Sequence, residues 1–302
     1  MPSGKIDDRK DVMIEFYLPT AEKALKYARN GMDPYSALRE LPLSVFGRLM
    51  VQPSVEFPAM AEYLPKMPHQ DIQTRYNGRA NLQLLPSSVA FMESVCYAYT
   101  RIYGRQFPVG GKILDYGFGW GRLIRMAYWM TDQDSIYGLD PQQTSIDICN
   151  ACNVAAHLKR CDEIPTTLPV EDDFFDLAIS FSVFTHLSFP AADAVLKALR
   201  RHVVDNSLLV ITIRPIEFWD HYKAMGRISD AEYDLLRKRH RNDGFAYIPL
   251  KKGWGKVDGE VHFGDTSISL EFIRSHWPEW QVAGTNLTLE DPFQVHVFLT
   301  PA

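Results

Sequence analysis

Two hydrophobic patterns divide the chain near residue 110. In residues 19–31 and 84–104 the apolar positions recur at helical spacing, and each stretch ends in a glycine. From residue 111 onward, short apolar runs alternate with amphipathic stretches, which is typical of a parallel sheet with helices on both faces. We therefore predict a mainly helical cap at 1–110 and an α/β domain at 111–302.

The apolar runs of the second half predict the strands of one sheet. Five of them alternate with helical patterns or loops, and the last two are separated by a turn, which predicts an edge hairpin. The predicted strands are 112–116, 135–140, 154–161, 175–181, 207–215, 280–286 and 294–301. The pattern thus predicts an α/β, Rossmann-like fold with seven strands.

Residues 216–261 interrupt this alternation. The segments 217–225 and 229–241 have helical patterns, whereas 244–260 has the composition of a loop. A long insertion directly after a buried strand is commonly functional or a lid. We therefore expect a lid-like insertion at 216–261 within the α/β domain.

A glycine turn follows the first predicted strand. Gly117, Gly119 and Gly121 stand at alternate positions, and a helical pattern begins at once after them. Glycine permits positive φ and a close approach of a ligand, and the unpaired N–H groups of a helix start attract anionic groups. The G-x-G-x-G spacing differs from the dinucleotide fingerprint G-x-G-x-x-G, because Arg122 occupies the place of the last glycine. An ordinary tight turn is the alternative interpretation.

Composition and charge narrow the function classes. The chain has 302 residues, of which 46% are hydrophobic and 23% charged, with a net charge of −5. This balance is ordinary for a globular protein and does not suggest a general nucleic-acid binder. The N-terminus lacks the apolar segment of a signal peptide, and no apolar run approaches the roughly 20 residues of a membrane helix. We expect a cytoplasmic protein without membrane insertion.

The cysteines raise the question of a metal. The chain has four cysteines, too few to stabilise it by disulfide bonds, and this number fits a reducing compartment. Cys149, Cys152, His157 and Cys161 approach a zinc-knuckle spacing, but they fall where a predicted helix runs into a predicted strand. Such a segment cannot place four ligands tetrahedrally, so no metal is expected.

Several motifs together resemble class I S-adenosylmethionine-dependent methyltransferases. Residues 113–122, ILDYGFGWGR, resemble motif I of that family, and Asp140 matches the acidic residue of motif II. Residues 169–187 resemble the stretch through the fourth strand, and the final hairpin matches the antiparallel seventh strand. More narrowly, the segments GWGRLIR, SVFTHL, HFGDTSIS and DPFQVHVFL resemble a bacterial subgroup often associated with methylation of glycans or secondary metabolites.

The resemblance implies S-adenosylmethionine as cofactor and S-adenosylhomocysteine as product. Asp115 would orient the glycine loop or meet the methionine ammonium, and Asp140 would hold the ribose. The acid that meets the adenine has two candidates after the third strand, Asp162 and Glu163. The implied cofactor-binding residues are Asp115, Gly117, Phe118, Gly119, Trp120, Gly121, Asp140, Pro141, Asp162, Glu163, Phe181 and Ser182.

Three residues are candidates for the chemistry of methyl transfer, an in-line displacement in which a general base helps a hydroxyl acceptor. His186 follows the fourth strand, where ligands bind in such sheets, although it could equally cap the next helix or pack against it. His262 and Asp265 lie where the insertion rejoins the sheet, and a solvated turn is the alternative there. Arg214, at the end of the fifth strand, could bind an anion or form an internal ion pair.

The acceptor is expected to be a small molecule or a glycan. Residues 75–77 of the cap could close over the cofactor, and the insertion could supply an acceptor pocket, because aromatic rings beside polar groups suit a sugar. The alternative is that these aromatic residues only fasten the insertion to the core. They are Trp219, Tyr222, Tyr233, Phe245, Tyr247 and Trp254, interleaved with His221, Lys251 and Lys252.

Two other functions remain open at this point. A nicotinamide-dependent oxidoreductase would share the fold class, although the glycine spacing and the terminal hairpin disfavour it. A protein that binds S-adenosylmethionine without catalysis would share the cofactor site, and the unidentified base leaves this possibility. The sequence does not predict an oligomeric state.

Overall fold

The computed structural model describes residues 12–250 and 256–302, and its first part is helical. Short 3-10 turns at Pro58–Met60 and Asn81–Leu84 separate some of the helices. Gly104 ends the longest of these helices in a left-handed conformation, as its position predicts. The helices are α1 Val12–Arg29, α2 Tyr35–Leu38, α3 Leu43–Val51, α4 Pro53–Glu56, α5 Gln70–Asn77 and α6 Leu85–Tyr103.

Strands and helices alternate from residue 113 onward, as the apolar runs predict. The strands are β1 Ile113–Tyr116, β2 Ile136–Asp140, β3 His157–Arg160, β4 Phe175–Ser180, β5 Val203–Ile213, β6 Phe245–Pro249, β7 Lys256–Val257, β8 Glu260–Val261, β9 Gly264–Ile268, β10 Trp280–Asn286 and β11 Val295–Pro301. The helices are α7 Arg122–Ala127, α8 Gln143–Ala151, α9 Phe189–His202, α10 Phe218–Ala224, α11 Asp230–Asp243 and α12 Leu270–His276.

One seven-stranded sheet has the order β10-β11-β5-β4-β1-β2-β3. Strand β1 lies between β4 and β2, and its Ile113 pairs in parallel with Ile136 of β2 and with Leu177 of β4. Strand β11 runs antiparallel to β5, with Val295 opposite Ile213, and it also pairs antiparallel with β10. The predicted fold class is confirmed, including the antiparallel last strand.

The two faces of the sheet have separate cores. Helix α9 and helix α12 cover one face, around Leu114, Ala178 and Trp277. The other face packs against α6, α7 and α8, and the same cluster continues without a break into α1, α2 and α3. The N-terminal helices therefore share a core with the sheet. A division at residue 110 stays a prediction.

The insertion contains more regular structure than its sequence indicates. Helices α10 and α11 lie where helical patterns were predicted, but the loop prediction for 244–260 is wrong over Phe245–Pro249. These residues form β6, which pairs antiparallel with β9, with Phe245 opposite Ile268. The pairing partner lies beyond the insertion, so local composition could not reveal this strand. Lys251, Lys252 and Trp254 lie outside the described residues.

The insertion leaves the sheet and returns to it at one point. The Ile268 N–H donates a hydrogen bond of 3.1 Å to the Arg214 carbonyl, so the two ends of the segment are joined.

None of the helices that the structure describes combines the length and the apolar composition that a membrane span requires.

Candidate active site

A cleft of about 230 Å³ opens at the carboxyl ends of β1, β2 and β4. In parallel sheets this edge is where ligands bind, because the loops after neighbouring strands converge there. Most of the predicted cofactor residues lie on it, together with two of the predicted catalytic residues. From the predicted set, Asp115, Gly117, Phe118, Gly119, Trp120, Asp140, Pro141, Glu163, Phe181, Ser182, His186 and His262 line the cleft.

The glycine loop, residues 117–121, needs its glycines for different reasons. All three have positive φ, between 57° and 78°. A Cβ at Gly117 would collide with Val183, and one at Gly119 would lie 3.2 Å from the Tyr76 ring, so both glycines let side chains that line the cleft pack against the loop. A Cβ at Gly121 would lie 2.9 Å from the Cys149 sulfur, and Gly121 does not line the cleft. Gly121 therefore serves the start of α7 rather than the ligand.

Asp140 fastens the glycine loop to the end of β2. Its carboxylate accepts hydrogen bonds of 2.9 Å from the backbone N–H of Gly119 and of Gln142. Burial raises the pKa of Asp140, and these two N–H groups oppose that rise because they favour the charged form. Asp140 therefore sets the conformation of the loop while its carboxylate faces the cleft.

Asp115 is almost completely buried at the end of β1, with 2% of its surface exposed. Its Oδ2 has no hydrogen-bond partner among the described residues. Burial raises the pKa of Asp115 to about 7, with Arg122 acting in the opposite direction. A buried carboxyl oxygen without a donor is costly, so this site is built for a ligand that donates.

Helix α5 from the N-terminal part closes one side of the cleft. Asn77 accepts a hydrogen bond of 2.7 Å from the Trp120 indole N–H, and the Tyr76 hydroxyl lies 3.3 Å from the Ser145 hydroxyl. Both Tyr76 and Asn77 line the cleft, whereas Arg75 does not. After β3, Glu163 lines the cleft and Asp162 does not, and the contact of either residue with the adenine stays a prediction.

The loop after β4 carries a backbone conformation that is unusual for serine. Ser182 has a φ of 61°, its N–H donates to the Thr212 hydroxyl at 2.7 Å, and its hydroxyl accepts from the Gln294 amide at 3.0 Å. Residues with positive φ that are not glycine cluster at functional sites, where the surroundings hold them. Strand β5 and the residue just before β11 thus hold Ser182 in place at the edge of the cleft.

His186 has both ring nitrogens engaged. Its Nδ1 lies 2.6 Å from the Gly264 carbonyl and must donate to it, and its Nε2 lies 3.2 Å from an Arg214 nitrogen. Burial and the neighbouring Arg214 together lower the pKa of His186 to about 4, while Asp265 and the Gly264 carbonyl act in the opposite direction. His186 is therefore neutral at pH 7 and its free lone pair is occupied by Arg214. This geometry disfavours His186 as the general base.

Asp265 lies behind the cleft rather than on it. Its two oxygens accept from Arg214, at 2.6 Å, and from the Tyr222 hydroxyl. Arg214 also donates to the Thr185 carbonyl at 2.7 Å and lies over the Phe218 ring. Asp265 and Arg214 thus form the internal ion pair, and neither is available to an acceptor in the cleft.

Only one ring nitrogen of His262 makes a hydrogen bond within the described residues, whereas both ring nitrogens of His186 do. The Nδ1 of His262 lies 2.8 Å from the Ser188 hydroxyl, and its Nε2 has no hydrogen-bond partner among the described residues. The segment around it pairs antiparallel with the loop after β4, through hydrogen bonds from Ser188 to His262 and from Gly264 to His186. Of the three predicted catalytic residues, His262 alone lines the cleft with an unengaged nitrogen.

A family model for a methyltransferase domain matches residues 113–206, which is less than half of the 302 residues. The match begins at β1 and spans the glycine loop, Asp140, Glu163 and the loop after β4. This match identifies residues 113–206 as a methyltransferase domain. No curated protein matches the chain.

Several solved structures resemble this chain at low sequence identity. The PH0226 protein of Pyrococcus horikoshii is 13% identical, with 70% of this chain and 90% of that chain covered and a TM-score of 0.48. A methyltransferase of Clostridium acetobutylicum is 11% identical, with 70% and 90% covered and a TM-score of 0.48. One of Mesorhizobium loti is 16% identical, with 72% and 97% covered and a TM-score of 0.47. These identities are too low to transfer an acceptor.

The residues that line the cleft fit S-adenosylmethionine. The buried Asp115 oxygen without a partner can accept a hydrogen bond from the methionine ammonium, and Gly117 and Gly119 line the same cleft. Among the described residues, no group of three or more His, Cys, Asp or Glu could hold a metal ion. Cys149 is a buried thiol beneath the glycine loop, and burial raises its pKa to about 12.

The aromatic residues of the insertion that the structure describes do not line the cleft. Trp219 is fully buried and donates to the Ser267 hydroxyl at 2.7 Å, and the Tyr247 hydroxyl donates to the Val261 carbonyl. Phe218, Trp219 and Leu236 form a small core of their own. For the described residues, the structure therefore supports the alternative that these aromatics fasten the insertion to the sheet.

Several residues on the cleft escaped the sequence analysis as ligands, among them Arg122, Leu187 and Phe263. Arg122 was noted only because it breaks a glycine spacing, although its position at the first turn of a helix beside a glycine loop was a usable signal. Phe263 and Leu187 face each other across the antiparallel bridge. No local pattern marks them, because their pairing joins segments far apart in the chain.

Proposed function

We propose that the protein methylates a hydroxyl group of a small amphipathic acceptor, such as a sugar, with His262 as the general base. S-adenosylmethionine supplies an electrophilic methyl group when bound. The observation that carries the proposal is the unengaged Nε2 of His262 on the cleft, with Nδ1 held by Ser188 at 2.8 Å. If Ser188 accepts the Nδ1 proton, Nε2 has a lone pair for the acceptor proton.

The lining of the cleft supports an acceptor with both apolar and polar faces. Tyr76, Trp120, Phe181 and Phe263 contribute aromatic rings, and Asn77 contributes an amide. Carbohydrate C–H faces pack on rings, while their hydroxyls need donors and acceptors. Phe263 also stacks on His186, at 5.0 Å between ring centroids, and this packs that side of the cleft.

We propose that the reaction takes place in the cytoplasm. The four free thiols support this location, because a reducing compartment keeps thiols unpaired.

The proposal is tested by following S-adenosylhomocysteine release over a panel of nucleotide sugars, glycans and small phenols. We expect turnover with a hydroxylated acceptor, and we expect His262→Gln to lower kcat by roughly 10²–10⁴-fold, the usual contribution of a general base. The affinity for S-adenosylhomocysteine should stay within about threefold. The rise of kcat with pH that reports a base should be absent in this variant.

His186→Gln is the matched control, because it removes the other imidazole of the cleft. It should cost less kcat than His262→Gln, since His186 is already neutral and engaged. Full activity of His262→Gln, or equal losses in both variants, would exclude His262 as the base. Tight cofactor binding without turnover on any acceptor would favour a non-catalytic binding protein.

A further inference from the structure

His186 lies between two groups that together decide which of its ring nitrogens carries the proton. An Arg214 nitrogen lies 3.2 Å from Nε2, and because a guanidinium only donates, Nε2 must be the unprotonated nitrogen. The proton is therefore on Nδ1, which donates to the Gly264 carbonyl at 2.6 Å. In the other tautomer, a lone pair of Nδ1 would face the lone pairs of that carbonyl. Arg214 thus fixes the tautomer in which His186 binds Gly264.

Arg214 is itself held in place by groups other than His186. It donates to the Asp265 carboxylate at 2.6 Å and to the Thr185 carbonyl at 2.7 Å. Asp265 in turn accepts a hydrogen bond from the Tyr222 hydroxyl of α10. Arg214 is buried, so turning away from Asp265 would leave two charges without compensation. The guanidinium nitrogen that faces His186 therefore has a fixed position.

The carbonyl that His186 binds belongs to the segment 262–264, which carries the proposed base. The Gly264 N–H donates back to the His186 carbonyl at 2.7 Å, so the two residues exchange two hydrogen bonds. The Phe263 ring also stacks on the imidazole, with 17° between the ring planes. His186 thus holds this segment through its backbone, through a ring nitrogen and through the face of its ring.

The position of His262 depends on the same segment. Its Nδ1 lies 2.8 Å from the Ser188 hydroxyl, and its carbonyl accepts from the Ser188 N–H at 3.0 Å. A hydrogen bond of this kind weakens steeply when its atoms are displaced. Without it, His262 can carry its proton on either nitrogen, and Nε2 no longer always has a free lone pair.

We propose that His186 is a positioning residue whose tautomer, set by Arg214, anchors the segment 262–264 and thereby holds His262 in the form that accepts the acceptor proton. The inference rests on the proposed function, in which His262 is the base. The two imidazoles on the cleft then have separate tasks. His262 takes the proton, and His186 keeps its own proton on Nδ1 throughout the reaction.

Nitrogen NMR on the full chain labelled with ¹⁵N-histidine tests the anchor without any acceptor. The chain has nine histidines, and the spectra of His186→Gln and His262→Gln assign the two rings among them. In the wild type, both rings should show a protonated Nδ1 and an unprotonated Nε2 at neutral pH. Thermal unfolding of each variant checks that the fold is retained.

Two substitutions of His186 separate its two ring hydrogen bonds. The amide nitrogen of asparagine is as many bonds from Cα as Nδ1 is, so His186→Asn still offers a donor to the Gly264 carbonyl. The terminal amide of glutamine reaches the place of Nε2, so His186→Gln still meets Arg214 but loses the bond to Gly264. In His186→Gln the His262 nitrogens should move towards the averaged resonances of interconverting tautomers. In His186→Asn they should stay close to those of the wild type.

Steady-state kinetics with an acceptor from the panel give the second measurement. His186→Gln should lower kcat by roughly 3- to 10-fold, which corresponds to the loss of one hydrogen bond, and should leave the acceptor KM and the affinity for S-adenosylhomocysteine within about twofold. His186→Asn should recover most of kcat. Tyr247→Phe is the matched control, since the Tyr247 hydroxyl donates to the nearby Val261 carbonyl at 2.7 Å and makes no hydrogen bond to His186. It should leave the His262 resonances unchanged.

Several results would overturn the anchor. They are unchanged His262 resonances in His186→Gln, equal effects of the glutamine and asparagine variants, and an equal shift of His262 in Tyr247→Phe. A loss of kcat accompanied by lower thermal stability and weaker S-adenosylhomocysteine binding would show that His186 only supports the fold. Full activity of His262→Gln would remove the base of the proposed function, whereas a response of the His262 resonances to His186→Gln would still establish the anchor.

Discussion

Asp115 is where folding and binding compete most directly. The residue is held in an apolar strand end that favours its neutral form, and its pKa is raised to about 7. A bound ammonium favours the charged form instead. Ligand binding must therefore withdraw a proton from Asp115 whenever the pH lies below this value, and the affinity for the cofactor depends on pH for that reason.

We expect the affinity for S-adenosylhomocysteine to fall by roughly tenfold per pH unit between pH 7 and pH 5, and to be nearly constant above pH 8. Calorimetric titrations at several pH values measure this, and titrations in two buffers of different ionisation enthalpy count the protons released. Asp115→Asn should bind more weakly at pH 8 and should show no such slope. A flat profile in the wild type would mean that Asp115 does not meet the ammonium.

At the same scale, the sequence predicts residues that act through local spacing and misses those that act through distant contacts. The glycine loop and Asp140 follow from spacing along a strand, a turn and a helix. The difference between His186 and His262 depends on Gly264, Arg214 and Ser188, which approach them only in the folded chain. Neither histidine carries a local signal that tells which nitrogen is free.

At the scale of elements, the insertion is a small packed unit rather than a loose flap. Trp219 of α10 is buried and bonded to Ser267 of β9, and Leu236 of α11 completes the core beneath it. The helices of this unit were predicted from their periodicity. Strand β6 was not predicted, because it lies inside the insertion and its partner strand β9 lies beyond it.

We predict that Trp219→Phe destabilises the protein by about 1–3 kcal/mol, because it removes the indole hydrogen bond and leaves a void. In the folded enzyme the acceptor KM should stay within about twofold of wild type, since Trp219 does not reach the cleft. Urea unfolding and steady-state kinetics measure the two effects. Tyr233→Phe, at an exposed pair with Asp220, is the control and should change stability by less than about 0.5 kcal/mol. A large rise in KM with unchanged stability would restore the aromatic acceptor pocket.

At the scale of the whole molecule, the N-terminal helices and the sheet are fastened to each other by polar contacts as well as by their common core. Arg39 donates to the Tyr128 and Thr131 carbonyls, the Trp129 indole donates to the Leu41 carbonyl, and the Tyr103 hydroxyl donates to the Ser207 carbonyl at 2.6 Å. The change of sequence pattern at residue 110 marks a change of secondary structure, not a break in packing.

We predict that the full chain unfolds in a single calorimetric transition, and that residues 111–302 expressed alone fail to reach a native fold, because the apolar surface that packs against α3 and α6 would be exposed. Calorimetry and near-ultraviolet circular dichroism measure this, and S-adenosylhomocysteine binding serves as the functional readout. Two separate transitions, or a fragment that binds the ligand as the full chain does, would instead establish two independent domains.

The joined ends of the insertion have a consequence for how this protein can change. Because the Ile268 N–H meets the Arg214 carbonyl and Asp265 pairs with Arg214, the intervening chain is a loop closed at its base. The entropy of closing such a loop grows only with the logarithm of its length, by about 0.6 kcal/mol for each doubling. Length changes in the turns between α10, α11 and β6 therefore add little entropic cost, as long as the core around Trp219 is kept. Such changes leave the residues on the cofactor side of the cleft as they are.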